Sequence, residues 1–442
     1  MSIALKDKEL SINQILKDLF ERKWKKKNGF SHSISEKAFK NFFKIGFPDR
    51  KSEDYKYFPV HKFFPESPVI PDGMSRSGSH LLISSKLSDQ QAIQLVFIDG
   101  ILSQEHSNYE DRKEDLEIKF LNQISEEDIK KLLDDHTESH NVNKDPFIEL
   151  NSSFIRDGIY LKIKKKIHPP PIYCYYLTSS EEKKSFRNFR TIMEFQEDSR
   201  ATLTEFFFSE DNTDGFENYF TEIFAERGAK LDFNRIQHKR GKEVLVNNVN
   251  IYQKESSLVN TFTYTLSARM LRNNLNIMLE EENCESHLYG LYLINGDNVI
   301  DNHTTVDHQK PHCFSNENYK GIIDENGKGI FNGKIYVRPD AQKTNAFQSN
   351  KNIVLTDTAV INTKPQLEIW ADDVKCSHGA TTGQIDAEQL FYLRTRGLDE
   401  RTARALLLHA FAFEIVDKIE LKTVKEYLTK VINKQLGYQF DN

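Results

Sequence analysis

The chain predicts a mainly β protein with helical regions at both ends, on three patterns. Between about residue 148 and residue 374, short segments alternate apolar and polar side chains with the period of two that belongs to strands. Asn-Gly pairs at 295–296, 326–327 and 332–333 punctuate those segments as turns. Outside this region, apolar residues recur at helical spacing, first from Leu10 to about Phe43 and again after Gln384. Many short strands at fairly even spacing fit a sandwich, a barrel or a β-solenoid.

The elements follow in order. Ile12, Ile15, Leu16, Leu19 and Phe20 form the apolar stripe of an N-terminal helix, and Lys23 and Lys25 to Lys27 make a basic run read as a solvated face or turn. Gly46-Phe47-Pro48 ends the helical pattern. A turn-rich stretch with Pro65, Pro68, Pro71, Gly73 and Gly78 leads to a first strand at Gln94–Ile98, and acidic helical material follows around Ser125 to Asp135. Strands are then predicted at Ile159–Ile163, Thr202–Phe206, Val246–Ile251, Leu275–Leu279, Gly333–Val337 and Asn352–Leu355. Asn247, Asn248 and Asn250, with Asn273, Asn274 and Asn276, suit a solenoid in which amides bond from coil to coil; Asn also fills ordinary turns. Asp386 is an N-cap ahead of Ala387 to Arg396, with Gln389 completing a capping box, and Gly397 ends that helix. Asp399 caps a second helix in which Ala403, Leu406, Leu407, Ala410 and Phe411 form a stripe. Apolar residues lie nearly all round it between Ala405 and Val416, so two surfaces bury it: the protein's own core, and either more core or a partner. The predicted organisation is an N-terminal helical region at 1–75, a β-rich region at 76–375 with its core at about 148–375, and a C-terminal helical domain at 376–442.

Composition excludes several classes. The 442 residues are 38% hydrophobic and 29% charged, and 60 basic against 66 acidic side chains leave a net charge of -6, which argues against nucleic acid as a partner. The N-terminus lacks the apolar run of a secretory signal. No stretch approaches the roughly 18–20 apolar residues that span a bilayer; the nearest, Ala405 to Val416, is broken by His409 and Glu414. The expectation is a cytoplasmic protein that does not engage membranes. Four scattered cysteines, Cys174, Cys284, Cys313 and Cys376, form no disulfide framework.

Few motifs carry chemistry. Gly321 to Gly329 resembles a phosphate loop, but its first glycine is one residue too distant and Gly329 stands where a magnesium-binding Ser or Thr must be. Asn326-Gly327 therefore reads as a hairpin turn, and the chain hydrolyses no ATP of its own. No Gly-x-Ser-x-Gly nucleophile elbow occurs. His303, Asp307, His308, His312 and Cys313 cluster in sequence but match no zinc spacing, which leaves structural hydrogen bonding or a metal or interface role. Cys376 and His378 stand two residues apart, so a strand would point both to one face. They are either a buried thiol and a hydrogen-bonded imidazole at a sheet exit, or half of a shared site. An iron–sulfur cluster normally takes several thiolates, which this chain cannot gather alone. A transient cluster shared across an interface stays open.

The run Asp301-Asn302-His303-Thr304-Thr305-Val306-Asp307-His308, through Pro311-His312-Cys313 and Tyr319-Lys320-Gly321, continues into Gly329 to Ile335 and Val337-Arg338-Pro339-Asp340-Ala341-Gln342-Lys343-Thr344. Thr363 to Ile369 and Asp372-Asp373-Val374-Lys375-Cys376-Ser377-His378-Gly379-Ala380-Thr381 complete it. Together they resemble the SufB/SufD family of iron–sulfur cluster assembly proteins, and within it the SufD branch. Arg50-Lys51-Ser52-Glu53-Asp54-Tyr55-Lys56-Tyr57 is similar to that family's N-terminal stretch. The likeness is dense from about Asp301 to Ile419, patchier before, and slight over residues 60–145. SufB-type chains carry Cys-Glu-His-Glu where this one has Cys376-Ser377-His378-Gly379, which favours the SufD branch.

The resemblance implies a right-handed parallel β-helix core between helical ends. It implies a non-catalytic scaffold of a SufB–SufC–SufD complex, paired with SufB through the β-helix and with the SufC ATPase through Asp386 to Ile419. Phe391, Tyr392, Arg396, Phe411 and Phe413 are the candidate SufC contacts. His378 is placed at the SufB interface as a metal ligand or proton-handling group shared with SufB, with Cys376 its companion; the catalytic cysteine and glutamate would belong to SufB. No cofactor is then held tightly by this chain alone: the cluster is transient, ATP sits on SufC, and reduced flavin (FADH2) would bind the complex. The alternatives are a homodimeric β-solenoid binding module without cluster chemistry, a SufB-like cluster-building subunit, and a polysaccharide-acting solenoid enzyme, which would need a carboxylate groove and an export signal.

Overall fold

A computed structural model describes residues 12–21, 32–71 except Arg50, Leu87 and Asp89, 91–121 except Lys113, four positions between 124 and 128, and 145–437 except 156, 157 and 182. Most of the expected acidic helix at Ser125 to Asp135, and the basic run at Lys23 to Lys27, lie outside the described residues.

Nineteen strands are described. The first five are β1 (Ile93–Ile98), β2 (Ile101–Leu102), β3 (Leu116–Phe120), β4 (Gly158–Ile163) and β5 (Ile172–Thr178). Next come β6 (Ser185–Phe195), β7 (Arg200–Ser209), β8 (Gly215–Ala225), β9 (Lys230–His238) and β10 (Val244–Gln253). They continue as β11 (Leu258–Ser267), β12 (Met270–Leu279), β13 (Glu285–Ile294), β14 (Val299–His308) and β15 (Phe314–Ile323). The last are β16 (Lys328–Val337), β17 (Asn345–Val354), β18 (Val360–Ile369) and β19 (Lys375–Gly383). Helices are α1 (residues 12–19), α2 (His32–Ile45), α3 (Pro146–Ser153), α4 (Ala387–Thr395), α5 (Glu400–Val416) and α6 (Lys422–Leu436).

From β4 onward, consecutive strands alternate between two sheets, and each pairs in parallel with the strand two places on. The ladder partner lies 26 residues along at Val244↔Met270 and 32 at Lys328↔Val360, so one coil is two strands and two corners. This is a β-solenoid, as the family likeness implies, and it excludes the sandwich and the barrel. Asn326-Gly327 is accordingly a coil corner, not the expected hairpin turn, because the strands on either side belong to different sheets. Asn332-Gly333 is not a turn at all: it lies within β16, where a Cβ on Gly333 would collide with the Gln348 amide.

Side chains alternate inward and outward along each strand. Leu271, Leu275, Ile277 and Leu279 of β12 fill the interior, whereas Arg272, Asn274 and Asn276 face out. Asn274 donates to Asn248 at 2.8 Å, Asn276 to Asn250 at 3.0 Å and Asn273 to Asn302 at 2.9 Å, the coil-to-coil amide bonding expected of a solenoid. The corner leading into each odd strand from β7 to β17 repeats one geometry. Asp198, Ser256, Asn283, His312 and Lys343 have φ of 57 to 62°, and Gly228 takes the same role at 68°. The residue after each (Ser199, Ala229, Ser257, Cys284, Cys313, Thr344) is buried.

The outer face of the even sheet packs against α1 to α3 through Ile12, Leu16, Phe20, Phe42, Phe147 and Leu150. The outer face of the odd sheet packs against α5 and α6 through Leu408, Ile415, Leu428 and Ile432. The two ends of the solenoid differ. At the start, β2 and β3 are last in their sheets and run antiparallel to β1 and β4. At the finish, β18 and β19 are last in their sheets, each paired on one side alone.

Candidate functional site at the open coil

Residues 376–383, grouped with the helical region in the sequence reading, are strand, and the first C-terminal helix begins at Ala387. Cys376 and His378 do not continue the preceding strand: β18 ends at Ile369, a bend intervenes, and β19 starts afresh. Cys376 and His378 do share a face, as their spacing requires. They pair in register with Ala346 and Gln348, two inward-facing residues of β17. That direction would be interior in any other coil, but no further coil follows, so His378 is exposed and Cys376 half-buried. Large apolar groups are also uncovered there: Phe347, Val360, Ile369 and Trp370.

The two side chains differ chemically. Burial raises the Cys376 thiol above its ordinary pKa, against a smaller opposing pull from the Ala346 backbone, so it stays a neutral thiol. His378 stands over an interior polar column. Gln348 donates to Glu317 at 2.7 Å, and the Gln348 Oε1 has no partner of its own. Burial pushes Glu317 up to about 7, with hydrogen bonds from Thr304 and Gln348 opposing. Among the described residues no group of three or more His, Cys, Asp and Glu side chains is placed to hold a metal, so a cluster at His378 needs ligands from elsewhere.

The C-terminal candidates divide. In α4, Asp386 caps Glu388 and Gln389 as predicted, yet no residue of the helix is buried, and Phe391 and Tyr392 are 68% and 55% exposed. Arg396, the residue ending that helix, lies 5.0 Å from the Tyr392 ring centre and is exposed. Phe411 and Phe413, by contrast, are half-buried on α5. The Lys320 ammonium sits 4.4 Å above the Phe411 ring and donates to its carbonyl at 3.1 Å, while Phe413 stacks on His409 at 3.8 Å. Both therefore serve internal packing first.

The His303 to Cys313 cluster separates, since alternate residues face opposite sides of β14. His303 and Asp307 point outward; His308 points in, and bonds Ser315 at 2.8 Å. Outside, a polar cavity of about 230 Å³ lies between the 45–55 segment and the even sheet. Its centre is the buried Arg272, which donates to Asp301 at 2.7 Å and stacks 3.9 Å over Tyr55, while Tyr55 bonds Asp145. The Glu53-Asp54-Tyr55 motif is thus a clasp holding the N-terminal region on the solenoid, reinforced by Lys334 to Asp54 at 3.2 Å. Sequence spacing could not reveal this partnership, because Arg272 lies 218 positions from Asp54.

Residues 176–411 match the SUF system FeS cluster assembly, SufBD core domain, and residues 12–169 match the SufBD protein N-terminal region. The chain belongs to the SufBD family. An iron-sulfur cluster assembly SufBD family protein of Synechocystis is 32% identical over 359 residues, 78% of either chain. The iron-sulfur cluster assembly protein SufD of Escherichia coli is 27% identical over 420 residues, covering 91% of this chain and 92% of that one. A SufBD family protein of Mycobacterium tuberculosis is 37% identical over 160 residues, 34% of this chain and 40% of the other. The family and its SufD relative support a role for this chain in iron–sulfur cluster assembly. Among the described residues no helix is long and apolar enough to cross a membrane.

Proposed function

We propose that this SufBD-family chain is the scaffold subunit, without ATPase activity, of a SufB–SufC–SufD type complex. The observation that carries this reading is His378, exposed on an interior-facing position of a terminal strand that is paired on one side alone. A paralogous solenoid of SufB type adds its own terminal strand to β19, and the joined coils bring its thiolate and carboxylate ligands over His378. The nascent cluster is cargo held between the two chains, with His378 as ligand or proton carrier and Cys376 as a neutral neighbour. A SufC-type ATPase covers Phe391, Tyr392 and Arg396, the surface of α4 that this chain leaves bare. ATP binds there, reduced flavin binds elsewhere in the complex, and closure of two ATPases shifts the helices against the solenoid. The setting is the cytoplasm.

His378→Ala is expected to leave the complex intact on gel filtration while cluster formation, followed by its visible absorption, falls to background. Undiminished cluster formation would sink the role. Phe391→Ala with Tyr392→Ala should release the ATPase and leave the SufB-type partner bound. A second copy of this chain competes for the same edge. Recovery of a homodimer alone, when both partners are co-expressed, would favour the binding module without cluster chemistry.

A further inference from the structure

The repeated corner gives two cysteines one environment. Asn283 and His312 occupy equivalent left-handed positions in successive coils, with φ of 61° each, so Cys284 and Cys313 follow at the same place one rung apart. The ladder confirms the stacking, since the Phe314 N–H donates to the Cys284 carbonyl at 2.9 Å. Adjacent rungs stand about 4.8 Å apart, within the roughly 4.4–6.8 Å between Cα atoms that a disulfide spans. Both sulfurs converge on one acceptor: Cys284 Sγ and Cys313 Sγ each lie 3.2 Å from the Glu281 carbonyl oxygen. The buried His308 ring bonds Ser315 through Nε2, and its Nδ1 has no hydrogen-bond partner. Neighbouring positions in this column are Ser257 and Thr344, so the paired thiols interrupt a run of hydroxyls. Both cysteines are buried, and the turn residues next to them in the chain, Glu282, Asn283 and His312, are exposed.

We propose that Cys313 and Cys284, with His308, form a dithiol site for two-electron oxidants of the hydroperoxide class, closing to a disulfide between successive coils. The Cys313 thiolate attacks one peroxide oxygen and the O–O bond breaks, giving a sulfenic acid and hydroxide. The Cys284 sulfur then attacks the Cys313 sulfur; its proton passes to His308 and on to the departing hydroxide, which leaves as water. Two thiols and one hydrogen peroxide become one disulfide and two waters. The roles follow from the surroundings. The hydrogen bond between the thiols, aided by His308, lowers Cys313, while the same contact and burial raise Cys284.

The experiment treats the full reduced chain with a small molar excess of hydrogen peroxide, then alkylates under denaturing conditions and maps peptides. The expected product is a Cys284–Cys313 linked pair two hydrogens lighter than its separate peptides, reversed by dithiothreitol, with Cys174 still alkylated. Cys284→Ala should stop at a Cys313 sulfenic acid that dimedone traps. His308→Gln should slow linkage by about tenfold. The wild-type map needs no substitution, and circular dichroism identifies any variant that fails to fold. Recovery of Cys284 and Cys313 as free thiols, or loss of Cys174 as fast as Cys313, overturns the proposal.

Discussion

Glu317 shows how far the coil position of one side chain controls its charge. In the unfolded chain it titrates near the ordinary value of 4.5, and inside the solenoid near 7. The folded value is the higher one, so the stability is fully present below pH 4.5 and is lost as pH rises through 7. Glu317→Gln is therefore expected to raise the unfolding free energy at pH 8 by on the order of 3 kcal/mol, with the gain vanishing near pH 4.5. Urea titrations at the two pH values measure it, and an equal gain at both would contradict the account. The site's own residues were partly legible in sequence. The i, i+2 spacing of Cys376 and His378 correctly put both on one face, but whether that face was interior or open depended on the coil being the last. Nothing local to Lys375–Gly383 encodes that.

Elements differ in how plainly the sequence announces them. The capped helices at Ala387 and Glu400 were readable because Asp386 and Asp399 bond their first turns, a strictly local interaction. Strand segments were readable from alternation, and the amides of β10 and β12 pointed toward a solenoid, though only the family likeness chose it. Turns were read less well, since Asn-Gly is compatible both with a corner and, at Gly333, with crowding by Gln348. Long-range docking was invisible: α6 is fixed to the odd sheet partly by a 3.0 Å bond between His238 and the Tyr427 hydroxyl, 189 positions apart. Burial, with Arg240 and Lys434 nearby, pushes His238 down to about 4. A depressed histidine contributes stability present above the unfolded pKa of 6.5 and lost as pH falls to 4. Wild-type Tm should drop over that window more steeply than that of His238→Phe in calorimetry. Parallel curves would show that this imidazole does not govern the docking.

At the scale of the whole molecule, the edge of β19 invites a direct test. Lys375 donates its N–H to the Thr344 carbonyl, just before β17, so by alternation the N–H groups of Cys376, His378 and Ala380 point to the free side. Proline is tolerated on an edge strand where its missing N–H faces outward. Ala380→Pro is thus expected to shift Tm by only a few degrees while weakening capture of the SufB-type partner by tenfold or more in a binding titration. A collapse of the isolated fold, or unchanged capture, would count against pairing through this edge. The difference between the two ends has a further consequence. A rod that could add a strand at either end would string copies head to tail without limit, the route by which exposed β edges become fibres. Here β2 and β3 run antiparallel to their neighbours while β18 and β19 continue the parallel coil, so among the described residues an edge that extends the parallel ladder lies at one end alone. Association at this edge must finish at a pair, and rising concentration should bring saturation, with no ladder of larger species.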